Sequence, residues 1–462
     1  MTRAIVVAAT RLALALPVLA GCASTSPRPA FDEASANGEA RTGKKVYWNQ
    51  GTKEDQAVED RVHAMLQQEL SVDAAVQIAL VTNPNLQATY EQLGIAQADL
   101  VQAGLLPNPT VGVGILFPIH KSDNVLSERE VSLTEDFLSL FMIPARKRIS
   151  RADLEAAKLR VADAIVKVAY DVRADYFRLV GARQELAMRQ VVLEAGEASV
   201  ELARRQSEAG NLSDLDLANE EALYEELRLE VAQTQGDVIT AHEDLVRAMG
   251  LWGKDTDLKL PAKLPELPAT DPPLEHLEST AIARRFDLAA ARFDIHSIAE
   301  TIALVKNYRW IGGASASVSV VRAFEGPTLV GPSASVTLPI FDQKQAVIAR
   351  LEAMLRQAEA RETSLALDIR SEVRVARNRL VFARGVVERH ATVLVPLRQK
   401  VVALSQQQYD AMLIGVYQLL VAKQNEVNAY RALIAGARDY WVARAELERA
   451  VGGAWGNAKE ER

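Results

Sequence analysis

The 462-residue chain is short of several things, and each shortage narrows what it can be. It has one cysteine, Cys22, so no disulfide can form within it. Positive charge is outnumbered, with 53 Lys and Arg against 60 Asp and Glu and a formal net charge of −7. That balance argues against a nucleic-acid binder and against a basic membrane-surface protein. Beyond the first 22 residues, no apolar run approaches the ~20 residues of a transmembrane helix. A membrane crossing by the remaining chain must therefore use strands. The six histidines (63, 120, 242, 276, 296 and 390) contain no i, i+4 pair and have no acidic or cysteine partner at metal spacing. The methionines are dispersed as well, and no phosphate loop or nucleophile elbow occurs. The sequence thus gives no catalytic, cofactor-binding or metal-binding residues, and an enzyme is not expected.

What the chain does have begins at its first residues. Arg3 and Arg11 flank apolar stretches, Ala4 to Ala9 and then Leu12 to Leu19, the layout of a secretory signal expected over residues 1–21. The run closes on Leu19-Ala20-Gly21-Cys22, which resembles the lipobox of bacterial lipoproteins. That resemblance implies cleavage before Cys22 and acylation of its thiol with palmitate. Ala23, in place of the Asp that marks inner-membrane retention, points to the outer membrane. The small polar stretch from Ala23 to Pro27 suits a tether, so residues 22–70 are expected to be a lipidated N-terminal segment. Losing the signal leaves a charge of about −9.

The rest of the chain is written twice. Leu245-Val246-Arg247-Ala248-Met249-Gly250 returns as Leu447-Glu448-Arg449-Ala450-Val451-Gly452 at an offset of about 202. Leu86 and Ala88 match Leu288 and Ala290 at that value, while Val131-Ser132-Leu133 matches Val336-Thr337-Leu338, and Gly210 matches Gly415, at about 205. Ordered matches at nearly one offset indicate a duplicated unit. Its copies are expected at 71–253 and 274–453, joined by a linker over 254–273 and followed by a tail over 454–462.

Each half follows the same order. A short helix (about 72–82, then 274–284) precedes a helix of about 22 residues, ending near Leu105 in the first half and running from Phe286 to Asn307 in the second. The period then changes to alternation. Strands are expected at about 108–117 and 129–138, and again at 312–322 and 332–341, with Val111, Val113 and Ile115 alternating against Thr110, Gly112 and Gly114. Such strands suit a membrane barrel, and equally a hairpin packed on a soluble core. Long helices of about 64 and 70 residues follow, carrying apolar stripes such as Val161, Ile165, Val168, Val172, Tyr176 and Leu179. Pro396 is expected to kink the second of them. Turns at Gly210-Asn211 and at Gly415 reverse the chain into return helices at 213–249 and 416–450. Gly210 suits a left-handed C-cap, and Ser213 with Asp216 resembles a capping box.

The helix of about 22 residues and the return helix of about 37 together nearly match the long helix of about 64, so each half can form an antiparallel pair of rods. Four strands per chain cannot close a barrel, and an open edge cannot lie in lipid. Two copies would supply eight strands and three copies twelve, and either number closes.

Leu80-Val81-Thr82-Asn83-Pro84-Asn85-Leu86, Ala103-Gly104-Leu105-Leu106-Pro107-Asn108-Pro109 and Ala209-Gly210-Asn211-Leu212-Ser213-Asp214-Leu215 resemble the TolC outer-membrane efflux protein family. Tyr409 through Gly415, Pro396 and the closing Arg449-Ala450-Val451-Gly452 fit the resemblance too. It implies a mainly α protein with a membrane β-barrel, a homotrimer with twelve strands in outer-membrane lipid on an α-helical periplasmic tunnel. A periplasmic adaptor and an inner-membrane transporter would be its partners in a tripartite efflux pump, with no nucleic acid involved. By position, the family's adaptor contact and gate fall on Gly210, Leu212, Ser213, Asp214 and Asp216 at one tip and on Gly415, Val416 and Tyr417 at the other. The chain departs from the family where an aspartate ring often follows the second turn, since Val421 and Gln424 stand there. The same resemblance fits the duct of a type I protein secretion system, and a coiled-coil envelope lipoprotein without a channel is the remaining alternative.

Overall fold

A computed structural model describes residues 25–116, 128–323 and 326–455. The expected signal peptide, Cys22 and most of the expected tail lie outside the described residues. Two halves of one pattern follow each other along the chain. The first has α1 (Arg28–Thr42), α2 (Lys53–Leu66), α3 (Val72–Thr82), α4 (Pro84–Ala103), β1 (Thr110–Leu116), β2 (Glu128–Asp136), α5 (Phe137–Glu208) and α6 (Asp214–Met249). The second has α7 (Leu277–Arg284), α8 (Phe286–Tyr308), β3 (Gly313–Ala323), β4 (Thr328–Thr337), α9 (Gln345–Arg389), a π turn (His390–Leu394), α10 (Val395–Asp410) and α11 (Val416–Val451).

By contact the chain divides into two units. One comprises Glu91–Lys158, Ala290–Arg361 and the described residues up to Asp32. Its centre is a four-stranded antiparallel sheet in the order β1-β2-β3-β4. Below the strands, Arg148 pairs with Glu300 at 3.0 Å, and the Tyr308 hydroxyl donates to the Phe141 carbonyl at 3.0 Å.

The other unit comprises Glu33–Tyr90, Leu159–Ala289 and Glu362–Arg462. Its core follows the helical stripes. Val161, Ile165, Val172, Tyr176 and Leu179 are buried along α5, and Ile369, Val373, Ala376, Leu380 and Val387 along α9. Each return helix closes onto the junction of its half's two short helices. Thr82 Oγ1 donates to the Met249 carbonyl at 2.6 Å and Asn83 Nδ2 to the Ala248 carbonyl at 2.7 Å. Gly250 then caps α6 in the left-handed region, φ 69°. At an offset of 202 Gly452 caps α11 with φ 81°, beside Arg284.

Several boundaries differ from the sequence expectation for definable reasons. The expected strand 129–138 stops at Asp136 because that carboxylate accepts from Leu138 N (3.0 Å) and Ser139 N (3.3 Å). It thereby starts α5 at Phe137, eight residues before the expected Ala145, and Pro144 is absorbed inside the helix. The expected strand 332–341 runs instead from Thr328 to Thr337. Pro339 cannot donate to a ladder and so bars extension. The kink expected at Pro396 takes the form of the π turn just ahead of it. Proline lacks an N–H and crowds the carbonyl four residues back, at Thr392, and a widened turn relieves both problems. The expected tether region also contains more order than its composition suggested, since α1 begins at Arg28 and α2 follows it.

Candidate functional site: the sheet face and the helical tips

Strand alternation gives the sheet two chemically distinct faces. On one, the register aligns Val113, Val131, Val320 and Val330 in one row and Val111, Leu133, Val318 and Pro332 in the next. These side chains are exposed in the single chain, Val113 at 77% and Val330 at 65%. The opposite face aligns Gly112, Ser132, Ser319 and Gly331, then Thr110, Thr134, Ser317 and Ser333. Ser315 bonds Ser335 at 2.8 Å and Ser317 bonds Ser333 at 2.6 Å across that face. An added Cβ at Gly112 would stand 2.6 Å from the Ser132 hydroxyl, so a larger residue there requires that hydroxyl to turn away. Strands that lie between lipid and water alternate in this way, although the row Gly114, Glu130, Val321 and Leu329 shows that the second face is not polar throughout. Within one chain β1 and β4 are unpaired edges. No helix among the described residues is long and apolar enough to cross a membrane.

Both helical hairpins end in the same cap. At the first tip, Asn211 N donates to the Gln206 carbonyl (2.8 Å) and Gly210 N to the Ser207 carbonyl (2.9 Å), with Gly210 at φ 73°. This is the double bond pattern of a Schellman cap. Ser213 then N-caps α6: its Oγ accepts from Asp216 N at 3.1 Å and donates to Asp216 Oδ2 at 2.7 Å. Asp214 and Asp216 lie in the first turn, where the helix dipole favours carboxylates. Leu212 is half-buried, and Leu215 is exposed.

At the second tip, Leu413 N donates to the Gln408 carbonyl and Met412 N to the Tyr409 carbonyl, both at 2.8 Å. The residue in the left-handed region is Met412, φ 57°, not Gly415. Gly415 has φ −81° and N-caps α11, with its N–H donating to Gln418 Oε1 at 2.9 Å. Gly415 is therefore the counterpart of Ser213, and Met412 of Gly210, both at offset 202, which corrects the pairing of Gly210 with Gly415. The constant offset between Gly250 and Gly452 was the signal that could have placed Met412. Val416 and Tyr417 open α11. The two tips thus share backbone geometry but differ in surface, one acidic and the other bearing exposed Met412 and Leu413.

Two polar clusters were not anticipated from the sequence. Above the tips, Arg189 meets Glu230 at 2.6 Å and Glu185 at 2.9 Å, and Arg431 reaches Glu185 at 3.4 Å. One network thereby joins α5, α6 and α11. In the linker, Asp271 receives Arg384 Nε at 2.6 Å and the Tyr440 hydroxyl at 2.6 Å. Burial raises the Asp271 pKa, but the bonds from Arg384 and Tyr440 outweigh it and hold the carboxyl below its ordinary range. The expected linker is thus strapped to α9 and α11. On α5, burial and then the neighbouring Asp287 push Asp163 up to about 6. Among the described residues no group of three or more His, Cys, Asp or Glu is arranged to hold a metal ion.

Comparison with known proteins gives this geometry a context. Residues 75–251 match the outer membrane efflux protein family. The cobalt-zinc-cadmium resistance protein CzcC of Cupriavidus metallidurans is 23% identical over 363 residues, 75% of this chain and 79% of that protein. Among solved structures, the Campylobacter jejuni CmeC outer membrane channel superposes with a TM-score of 0.73 at 15% identity, covering 84% of this chain and 87% of that one. A membrane protein from Pseudomonas aeruginosa superposes with a TM-score of 0.68 at 20% identity, covering 82% and 93%. The family resemblance read from the sequence holds, and the fold is that of these channels.

Proposed function

From the premise that this chain resembles the outer membrane efflux proteins, we propose that it is the outer-membrane duct subunit of a tripartite efflux system. Three copies close a twelve-stranded barrel and continue as a helical tunnel in the periplasm. The observation that carries this reading is the two-faced sheet with both edges open. Its valine rows suit lipid and its serine rows suit a water-filled lumen, and joining β1 of one copy to β4 of the next removes edges that lipid forbids. The tips around Gly210 and Gly415 meet a periplasmic adaptor, and an inner-membrane transporter supplies the energy for a passive conduit. Cys22, after signal cleavage, bears the lipid anchor. The name of the Cupriavidus relative makes divalent cations the first cargo to assay.

The test is conductance. Purified full-length protein in planar bilayers is expected to give discrete single-channel steps, and native mass spectrometry to give three times the subunit mass. A protein of correct helical content that never conducts would overturn the reading. Labelling with a palmitate analogue, lost in Cys22→Ala, checks the anchor. Crosslinkers at Ser213 or Tyr417 that never capture an adaptor from a trimeric preparation would overturn the tip assignment.

A further inference from the structure

The helix-bearing end of the sheet carries a pattern of its own. By the antiparallel register, the start of β1, the end of β2, the start of β3 and the end of β4 all lie at that end. Just outside the strands there, large apolar side chains stand in the open: Leu106, Phe137, Phe141, Trp310, Ile340 and Phe341. Trp310 is 57% exposed and Phe341 91%.

The same segments are basic in an acidic chain. Residues 104–109, 137–151, 306–312 and 338–350 hold eight Lys and Arg and one acid, Asp342, beside Glu135 and Asp136 at the end of β2, against a net charge of −7 for the whole. Glu300 engages Arg148 (3.0 Å), Glu352 engages Lys306 (2.7 Å) and Asp342 engages Lys344 (3.3 Å). Arg146, Lys147, Arg151, Arg309 and Arg350 have no acidic partner within ion-pair distance among the described residues. The Arg309 guanidinium lies 4.5 Å over the Trp310 ring, so cation and indole are presented together. The Arg146 guanidinium reaches back along α5 to the Ser139 carbonyl at 3.4 Å, within one helical turn of the strand end at Asp136, so its charge stands near headgroup depth.

Amphipathic rings settle at the headgroup level of a bilayer, and cations beside an anionic leaflet gain about fivefold in binding per charge. Charge alone would also suit an acidic protein, but exposed aromatics just beyond the strands that bear the valine rows favour a bilayer. We infer that this collar is a binding surface for an anionic phospholipid leaflet, with the aromatics at headgroup depth and the free cations on phosphate. The inference rests on the reading that the sheet lies in a membrane.

The full chain in detergent is offered phosphatidylglycerol or phosphatidylethanolamine, and bound lipids are counted by native mass spectrometry. The wild type is expected to retain phosphatidylglycerol preferentially. Arg146→Gln and Arg309→Gln together reduce that preference by about tenfold or more. Equal retention of the two lipids by the wild type, or an undiminished preference in the double variant, overturns the inference. The swaps Arg146→Lys and Arg309→Lys keep the charge, so they must keep the preference even if the glutamine variant folds poorly. Conductance is recorded in parallel in neutral lipid. A wild type that conducts without lipid preference sinks only the collar, whereas one that never conducts sinks the channel reading.

Discussion

Gly250 and Gly452 occupy equivalent positions, and their surroundings predict unequal responses to the same substitution. Both are left-handed C-caps, at φ 69° and 81°. An added Cβ costs about 1–2 kcal/mol in that region, offset by about 0.4–1 kcal/mol from a less disordered unfolded chain. Gly452→Ala meets nothing closer than 3.4 Å, so its net cost is about 1 kcal/mol. At Gly250 the new methyl lies 2.7 Å from both the Thr82 carbonyl and Pro84 Cδ, and 2.9 Å from Asn83 Cα. These are backbone or ring atoms fixed by the Thr82 and Asn83 hydrogen bonds, so overpacking adds about 1–3 kcal/mol. Gly250→Ala should therefore cost about 2–4 kcal/mol, at least twice its counterpart. Melting of the detergent-solubilised protein, followed by far-ultraviolet circular dichroism at one scan rate, measures the difference. Equal shifts, or a larger shift for Gly452→Ala, would refute the argument from backbone contact.

Other substitutions probe other features. Met412→Gly removes a left-handed side chain that is 92% exposed and should raise the melting midpoint by the equivalent of about 0.5–1 kcal/mol. Arg384→Met leaves Asp271 without its guanidinium and should destabilise by about 2–4 kcal/mol at neutral pH. Because the folded Asp271 carboxyl is held low, its contribution is present above the unfolded pKa of about 4 and is lost as pH falls below that range, so the variant's deficit should shrink in acid melts. Asp163 has the opposite sign. Its folded value of about 6 exceeds the unfolded one, so stability declines as pH rises from about 4 through 6. Asp163→Asn removes that decline and should stabilise by about 2 kcal/mol at pH 7, with no gain at pH 4, which parallel melts at the two pH values will show. Val131→Arg, on the apolar sheet face, should cost about 2–4 kcal/mol and lower the yield of membrane-inserted protein, while Ser132→Arg on the polar face should cost less, as heat-modifiability gels can report.

Much of this architecture was legible because it is periodic. The alternation from Ala314 to Val320 and the stripe from Val161 to Leu179 repeat often enough to survive local exceptions. Single residues that answer to tertiary contact were not legible. Gly38 reads as a helix breaker, yet it sits inside α1 because a Cβ there would come 2.7 Å from Ile165 Cγ2. Likewise Met412 hides a left-handed cap behind a residue that rarely adopts one, which drew the second turn to Gly415. Tip chemistry could be named but not positioned until the cap bonds were seen. The clusters on Asp271 and Glu230 join residues far apart in sequence, and no local spacing announces them.

The π turn at His390–Leu394 makes the two hairpins unlike as mechanical parts. Helix α5 runs 72 residues without interruption, whereas its counterpart is divided into 45 and 16 residues by five widened ones. A uniform beam spreads an applied load along its length, while a jointed one concentrates it at the joint. Thr392 Oγ1, donating to the Glu388 carbonyl at 2.6 Å, spans that joint as a side-chain tie. Torque on the two tips would thus strain α5 elastically and turn the other hairpin about residues 390–394, so the compliance of the molecule is set by one turn of one helix.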